Sequence, residues 1–346
     1  MIEVRREIDP LYGEWDELAD RVGAPAFLRP GWMRAWWDAF GRGALEILAL
    51  RREGRLAGLL PLYRERAVLR SPSNGHTPLF EPLVEDESAA DELAGAMLAG
   101  PGRRIGIFYL TPGEFGYGAL RRAAGPTGHR VVQTTLEHSP YIPIESDWDS
   151  FTASLETKLM REIRRRRRRL ESEGELSLEV SQGTDGLEAL LEEGFRIEAG
   201  GWKSTVGTAI AASPETRRFY TELARWAADR GILRLGFLRL DGRALAFDLS
   251  IEEAGVHYLL KTGYDIEHAK LGPGIMMRHD MIERAFREGL TSYEFLGQSD
   301  AWKLRWTQNT RERAALRAFS PSVCGQVNWV SVTQVRPLAK RLVGRA

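Results

Sequence analysis

The sequence predicts an α/β (α+β) fold built as two similar halves, each a mixed, mostly antiparallel sheet flanked by helices. Three observations carry this expectation. Two hairpins of related sequence, LALRREGRLAGLLPL and GFLRLDGRALAFDLS, stand at corresponding places in the two halves. Around each of them one order recurs: strand, two helices, a three-stranded meander, a helix and a strand. The composition is that of an ordinary globular chain, 43% hydrophobic and 28% charged over 346 residues, which is length enough for two domains.

In the first half, Ile2 to Ile8 reads as a strand and Glu14 to Val22 as a short helix. Pro30 to Phe40 reads as a helix opened by proline, with Trp32, Trp36 and Trp37 near one face as core residues. Leu45 to Arg51 and Leu56 to Arg64 are strands about the Glu53-Gly54 turn. Val68 to Phe80 holds a third strand and a loop. Ser88 to Ala99 is helical, Arg103 to Leu110 strand-like and Gly116 to Ala124 helical. Val131 to Thr135 and Tyr141 to Ile144 are two closing strands. One long linker helix is expected from Phe151 to Gly174, because the stretch lacks proline and is rich in helix formers. It carries six consecutive arginines, Arg164 to Arg169. Six residues wrap nearly two turns and point all ways, and glutamates flank them. The preferred reading is a solvated, partly salt-bridged helix; a patch for RNA, phosphate or acidic lipid is the alternative. The expected division is a first domain over 1–149, a linker over 150–174 and a second domain over 175–346.

In the second half, Leu176 to Val180 is a strand, and Leu187 to Ala199 and Pro214 to Arg230 are amphipathic helices. Leu233 to Leu240 and Ala244 to Ile251 are strands about Asp241-Gly242. The stretch from Val256 to Gly297 organises this half. Val256, Tyr258 and Leu260 alternate with His257, Leu259 and Lys261 as a strand. Ala269 to Gly274, AKLGPG, breaks the periodicity. A helix follows from about Ile275, with Met277, Met281 and Ala285 on its apolar face and Gly289 at its C-cap. Ser292 to Leu296 is a short strand. Arg311 to Phe319 is a further strand, Cys324 lies in a late turn, and Gln334 to Val343 is a final helix.

Several function classes are disfavoured. Lys+Arg and Asp+Glu both total 48, so no global field selects nucleic acid or membrane. A single cysteine excludes an internal disulfide and fits a reducing compartment. The N-terminus has no signal-peptide core and no apolar run reaches the ~20 residues of a membrane span, so a cytoplasmic location is expected. The six histidines are scattered without an i, i+4 pair, and no metal is expected. Neither a Walker loop nor a G-x-S-x-G elbow is present.

The candidate site centres on the AKLGPG bend. Gly272 and Gly274 leave the backbone bare where a helix begins, and the first N–H groups of a helix lack intrahelical partners. Such a corner accepts a phosphate or pyrophosphate, here through the amides from Gly272 through Ile275 to Met276, with Lys270 and Arg278 adding charge. Asp248, on a strand face with Ala246 and Ser250, is a candidate general base. Glu198, before Gly200-Gly201-Trp202-Lys203, is another, and the Trp202–Lys203 pair can close over a substrate. Tyr264 is a candidate proton donor to a leaving group. Lys261, Trp302 and Lys303 are candidate substrate contacts.

These pieces resemble a known family. KLMREIRRRRRRLESEG, the E-x-x-x-W-K of Glu198 to Lys203, LRLDGRALAFDLS, YLLKTGYDIEHAKLGPG and YEFLGQSDAWKLRW together look like a GNAT-type acyltransferase domain. The resemblance is to the CelD/BcsL-like acetyltransferase group, relatives of the FemAB peptidyltransferases, which carry tandem GNAT-like units. The first half resembles a degenerate copy. The resemblance implies transfer from acetyl-CoA or another acyl-CoA to an amine or hydroxyl on a small-molecule or saccharide acceptor, in polysaccharide or cell-envelope biosynthesis. The superfamily's loop pattern is Gln/Arg-x-x-Gly-x-Gly/Ala; Ala269 stands at its first position, while Gly272 and Gly274 fit. In the mechanism expected on that basis, a splayed strand pair presents an amide to the thioester carbonyl and Asp248 or Glu198 takes the acceptor proton. Tyr264 or the Trp302–Lys303 segment then protonates the thiolate. Two alternatives stay open: a Fem-like transferase using aminoacyl-tRNA, and a non-catalytic binding module with a vestigial site.

Overall fold

A computed structural model of the chain describes residues 1–100, 104–200, 210 and 213–335. Strand β1 (Ile2–Arg5) leads into helices α1 (Tyr12–Arg21) and α2 (Pro30–Phe40), then β2 (Ala44–Arg52), β3 (Arg55–Glu65) and β4 (Val68–Arg70). The short β5 (Leu83–Val84), α3 (Glu87–Ala99), β6 (Arg104–Leu110), α4 (Phe115–Ala124) and β7 (Arg130–Pro143) follow. After α5 (Trp148–Ser154) and α6 (Thr157–Glu171) come β8 (Leu176–Ser181), α7 (Leu187–Gly200), α8 (Pro214–Asp229), β9 (Leu233–Leu240), β10 (Arg243–Glu253) and β11 (Val256–Tyr264). The chain ends its described course with α9 (Pro273–Arg287), β12 (Ser292–Glu294), β13 (Thr310–Phe319) and α10 (Val323–Val330).

The two hairpin turns have the same geometry for the same reason. Glu53 and Gly54 take φ of 51° and 81°, and Asp241 and Gly242 take 49° and 80°. Two successive left-handed residues make a turn whose twist matches the flanking strands, and aspartate or glutamate followed by glycine tolerates it.

Two compact units form, Met1–Glu137 with Glu312–Ala346, and His138–Arg311. In the first, the strands lie in the order β1-β2-β3-β4-β6-β13, with β5 paired to β3. Only β4 and β6 run parallel among its paired strands described here. In the second, the order is β7-β12-β11-β10-β9-β8, and β11 and β12 are the parallel pair. Each half therefore has the expected mixed, mostly antiparallel sheet with helices packed on it.

The unit boundaries depart from the expected division at 149 and 174. Neither closing strand comes from where the expected division puts it: β13, expected in the second domain, pairs with β6, and the last residues of β7, expected in the first, pair with β12. Strand periodicity reports a pleat, not a partner, so such an exchange is invisible in sequence. The two closing strands read at 131–135 and 141–144 are one continuous β7. The single linker helix is two helices. Asp147 caps α5 by accepting from the Ser150 amide at 2.7 Å, and Leu155 then turns extended between α5 and α6. Helix α6 is no spacer either. Leu159, Ile163 and Leu170 are buried in the core of the second unit with Met277, Met281 and Phe286. Full burial of an aliphatic side chain stabilises by ~1.5–3 kcal/mol, so this seam outweighs the surface ion pairs at ~0–1 kcal/mol each. Helix α10, where a turn at Cys324 was expected, begins because the Ser322 hydroxyl accepts from the Gly325 amide at 3.2 Å. The helix expected over Gln334 to Val343 lies almost wholly outside the described residues.

Candidate active site

Strand β11 does not alternate as its sequence reads. Its ladder with β10 pairs Asp248 with Thr262 and Leu249 with Lys261, then jumps to Ser250 with Leu259. Leu260 is the extra residue of a β-bulge, so His257 and Leu259 share a face with Thr262 rather than with Lys261. On its other edge β11 pairs with β12 only through Val256, His257 and Tyr258. Beyond that the two strands splay. Leu296 and Gly297 take φ of 55° and 62°, turning the chain aside, and the Lys303 ammonium donates to the Leu296 and Gln298 carbonyls at 2.8 Å each. Lys303, expected to meet substrate, is buried and braces this turn. Trp302 is half-buried, edge-on to Phe295 at 5.7 Å.

The bend closes the open edge at its far end. Gly272 is left-handed, φ 75° and ψ 45°, and α9 starts at Pro273 with no side-chain cap. The Gly272 amide donates to the Ala269 carbonyl at 3.0 Å and the Met276 amide to the Gly272 carbonyl at 3.3 Å. Pro273 has no N–H. Of the amides expected to cradle an anion, those of Gly274 and Ile275 are the ones that no side chain caps, and both residues are half-buried rather than covered. Met276 contributes its side chain to the core. A Cβ on Gly274 would lie 3.0 Å from the Tyr264 ring, which places that tyrosine beside the helix start. A Cβ on Gly272 would lie 2.5 Å from Arg166. The Arg166 guanidinium donates to the Lys270 carbonyl at 3.2 Å and is oriented by Glu162 at 2.8 Å. The Lys270 side chain is exposed.

Arg166 is the functional candidate that sequence reasoning missed. It supplies the basic group at the bend that Arg278 was expected to supply. Its signal was the arginine run itself, which splits in the fold: Arg166 and Arg167 turn inward, Arg167 onto Asp280, while Arg164, Arg165, Arg168 and Arg169 face solvent.

Arg278 points the other way, into the sheet. It is 2% exposed and donates to Asp248 Oδ1 at 2.8 Å, to Thr262 Oγ1 at 3.2 Å and to the Tyr293 hydroxyl. Burial alone would lower its pKa, but the Asp248 carboxylate beside it holds it above the ordinary arginine value. Asp248, 0% exposed, is thus the counter-ion of a buried cation rather than a free base. The same face carries His257, stacked on Tyr293 with ring centres 4.5 Å apart and bonded to Glu252 at 2.8 Å. Glu252 is already neutralised by Arg234 and Arg284, and burial pushes the His257 pKa down to about 3.

That depression has a testable consequence. Native His257 stays neutral, whereas in the unfolded chain it gains a proton below its ordinary value of 6.5. Its contribution to stability is present above that pH and is lost as pH falls from 6.5 toward about 3, at ~1.4 kcal/mol per pH unit. Replacing His257 with glutamine is expected to flatten this dependence in urea titrations between neutral pH and about pH 5. Equal slopes for both proteins would contradict it.

On the opposite face of β11 sits a second acid. Glu198 of α7 is 0% exposed, and its Oε2 accepts from the Ile210 amide at 2.8 Å. Gly263 lets it approach, because a Cβ there would be 2.5 Å from the Glu198 Cα. The Lys261 ammonium lies 5.2 Å over the Tyr220 ring. Burial, and secondarily the Glu198 charge, pushes the Tyr220 phenol up. Glu198, Lys261 and Tyr220 therefore gather beside the open edge, Asp248 and Arg278 lie across the sheet, and Tyr264 marks the bend. Trp202 and Lys203 lie outside the described residues. Among the described residues, Asp265, Glu267 and His268, and His279, Asp280 and Glu283, have metal-ligand spacing. Each group already holds an arginine, Arg243 and Arg167 respectively, which balances its charge.

Residues 157–304 match the family model of the acetyltransferase (GNAT) domain. The matched stretch lies within the second unit and is similar to a GNAT domain. No curated protein sequence matches the chain. Among solved structures it is similar to L-PGS from Bacillus licheniformis, with 14% identity, TM-score 0.59, and 99% of each chain covered. It is similar to FemX at 12% identity and TM-score 0.59, covering 92% of this chain and 97% of that one. The C-terminal domain of a putative lysylphosphatidylglycerol synthetase from Agrobacterium fabrum aligns at 10% identity and TM-score 0.56, over 94% and 96% of the two chains. At these identities the likeness is one of fold. The splayed parallel pair, the bulged strand and the glycine bend all fall inside the matched residues.

Proposed function

We propose that the GNAT domain transfers an acyl group from acyl-coenzyme A, acetyl-CoA foremost, to an amine or hydroxyl of a small-molecule or saccharide acceptor. The supporting observation is a contrast between two helix starts. Helix α3 of the first unit is capped by Asp86, which accepts from the Ala89 amide at 2.8 Å, with Glu87 beside it. Those carboxylates take the place an anion would need and repel it. Helix α9 opens on Gly272, Pro273 and Gly274 with no side-chain cap. The same stage of the repeat is thus closed to a phosphate in the first unit and open in the second.

The residues then divide the work. Gly274 and Ile275 amides with Arg166 hold the diphosphate. The stretch of β11 beyond its ladder with β12 offers backbone N–H to the thioester carbonyl, where negative charge grows in the transition state. Glu198 draws the proton from the acceptor as its nitrogen or oxygen bonds to the acyl carbon. Tyr264 returns a proton to the sulfur as the carbon–sulfur bond breaks. The thioester is already activated, so positioning supplies most of the rate. Saturable heat on titration with acetyl-CoA, displaced by coenzyme A, is the expected result; silence at millimolar ligand counts against this reading.

A second reading rests on the exposed Arg164, Arg165, Arg168 and Arg169, on the helix whose Arg166 touches the bend. They suit the phosphates of an aminoacyl-tRNA donor. That reading requires tRNA affinity that falls steeply with salt, by about one logarithmic unit per phosphate contact per decade. A flat salt response removes it.

A further inference from the structure

Three segments meet at the glycine bend, and one apolar cluster holds them. Leu159 and Ile163 of α6, Leu271 before the bend and Trp306 after the braced turn are buried in the same core. At the rim of that cluster a single acid stands between two arginines. Glu162 lies on α6 one turn before Arg166 and accepts from it at 2.8 Å through one oxygen. Through its other oxygen it accepts from Arg305 at 2.7 Å. The Arg305 guanidinium, helped by that of Arg166, holds the Glu162 carboxyl below the ordinary glutamate range, so it is ionised at neutral pH. Two cations share one anion, and the rim keeps a net positive charge.

An isolated exposed ion pair would call for no further account. This cluster differs in what it leaves over. Among the described residues Arg305 engages one nitrogen, to Glu162, and its side chain is 39% exposed. Arg166 engages two, to Glu162 and to the Lys270 carbonyl at the bend. Each guanidinium therefore keeps N–H groups to spare while Glu162 fixes its direction. A fork held in place before a ligand arrives loses little freedom on binding, and its geometry suits phosphate oxygens. Coenzyme A offers two separate anionic groups, the diphosphate and a phosphomonoester on the adenosine ribose. Given the donor reading above, on which this rests, the diphosphate occupies the Gly274 and Ile275 amides and Arg166. The neighbouring guanidinium, one carboxylate's width away, then faces the next anionic group of the same molecule.

We infer that Arg305, positioned by Glu162, recognises the 3′-phosphate of the donor and so selects coenzyme A over its dephospho form. A phosphomonoester carries nearly two negative charges at neutral pH and takes arginine's paired N–H groups as a bidentate contact. The test is isothermal titration of coenzyme A and of dephospho-coenzyme A into the full chain and into Arg305→Met. Arg305 lies at the surface and methionine keeps the apolar part of its stem, so the variant is expected to fold. The wild type should bind coenzyme A at least about tenfold more tightly than the dephospho form, and the variant should bind the two within about threefold of each other. Comparing the two ligands on each protein isolates the 3′-phosphate contact from any general loss of charge or stability. Equal affinity of the wild type for both ligands, or a variant that keeps the wild-type preference, overturns the inference and leaves the donor reading in place. Binding of neither ligand by the wild type overturns both.

Discussion

Replacing Arg278 with methionine is expected to destabilise the second unit by ~3–5 kcal/mol, the largest stability effect of any single change near the site. Methionine keeps much of the stem's apolar packing, so the loss isolates the charge. Asp248 would stay at 0% exposure without its cation, and its Oδ2 has no hydrogen-bond partner among the described residues. An unpaired buried carboxylate costs far more than the pair contributed, because both charges were desolvated to form it. The Tyr293 hydroxyl and Thr262 Oγ1 lose a donor in the same step. Changing Asp248 to asparagine as well should recover part of the loss, since the double variant buries no ion. Urea unfolding at neutral pH reads both. A loss under ~1 kcal/mol for Arg278→Met would mean that this arginine is not the partner that makes burial of Asp248 tolerable.

Glu198→Gln is expected to lower turnover by ~100- to 10,000-fold, the range for removing a positioned general base. Glutamine can still accept from the Ile210 amide, so the local fold and donor affinity should hold while the acceptor proton loses its destination. Asp248→Asn tests the other candidate and should act mainly on stability, because that carboxylate faces Arg278. If Glu198→Gln keeps turnover within ~3-fold, proton removal belongs to another group.

Much of the fold was legible because it is written in local chemistry. The Glu53-Gly54 and Asp241-Gly242 turns, the proline starts of α2 and α8, and the left-handed Gly289 closing α9 each state their geometry in one or two residues. The glycine bend was legible for the same reason. What stayed hidden depends on partners distant in sequence. Asp248 and Glu198 both read as acids near a bend, and only Arg278 on one side of the sheet and Gly263 with Tyr220 on the other separate their surroundings. The bulge at Leu260 shifts every later residue of β11 to the other face, and no feature of VHYLLKT announces it. Arg166 could not be picked from its five neighbours, because the inward side of α6 is chosen by Leu159, Ile163 and Leu170 against α9. Lys303 looked like an anion contact, but its ammonium serves two carbonyls of a left-handed turn.

In the proposed function an uncapped helix start at Gly274 holds the donor's diphosphate. Isothermal titration of coenzyme A into the wild type and into Gly274→Asp tests it most directly. An aspartate in the first helical turn favours the helix by ~0.3–1 kcal/mol, which works against the small shift its Cβ forces on the Tyr264 ring 3.0 Å away, so the variant should stay folded while its carboxylate competes for the same amides. Binding by the wild type and at least ~10-fold weaker binding by the variant are expected. Equal affinities for the two folded proteins, or no binding by the wild type at millimolar ligand, would contradict it.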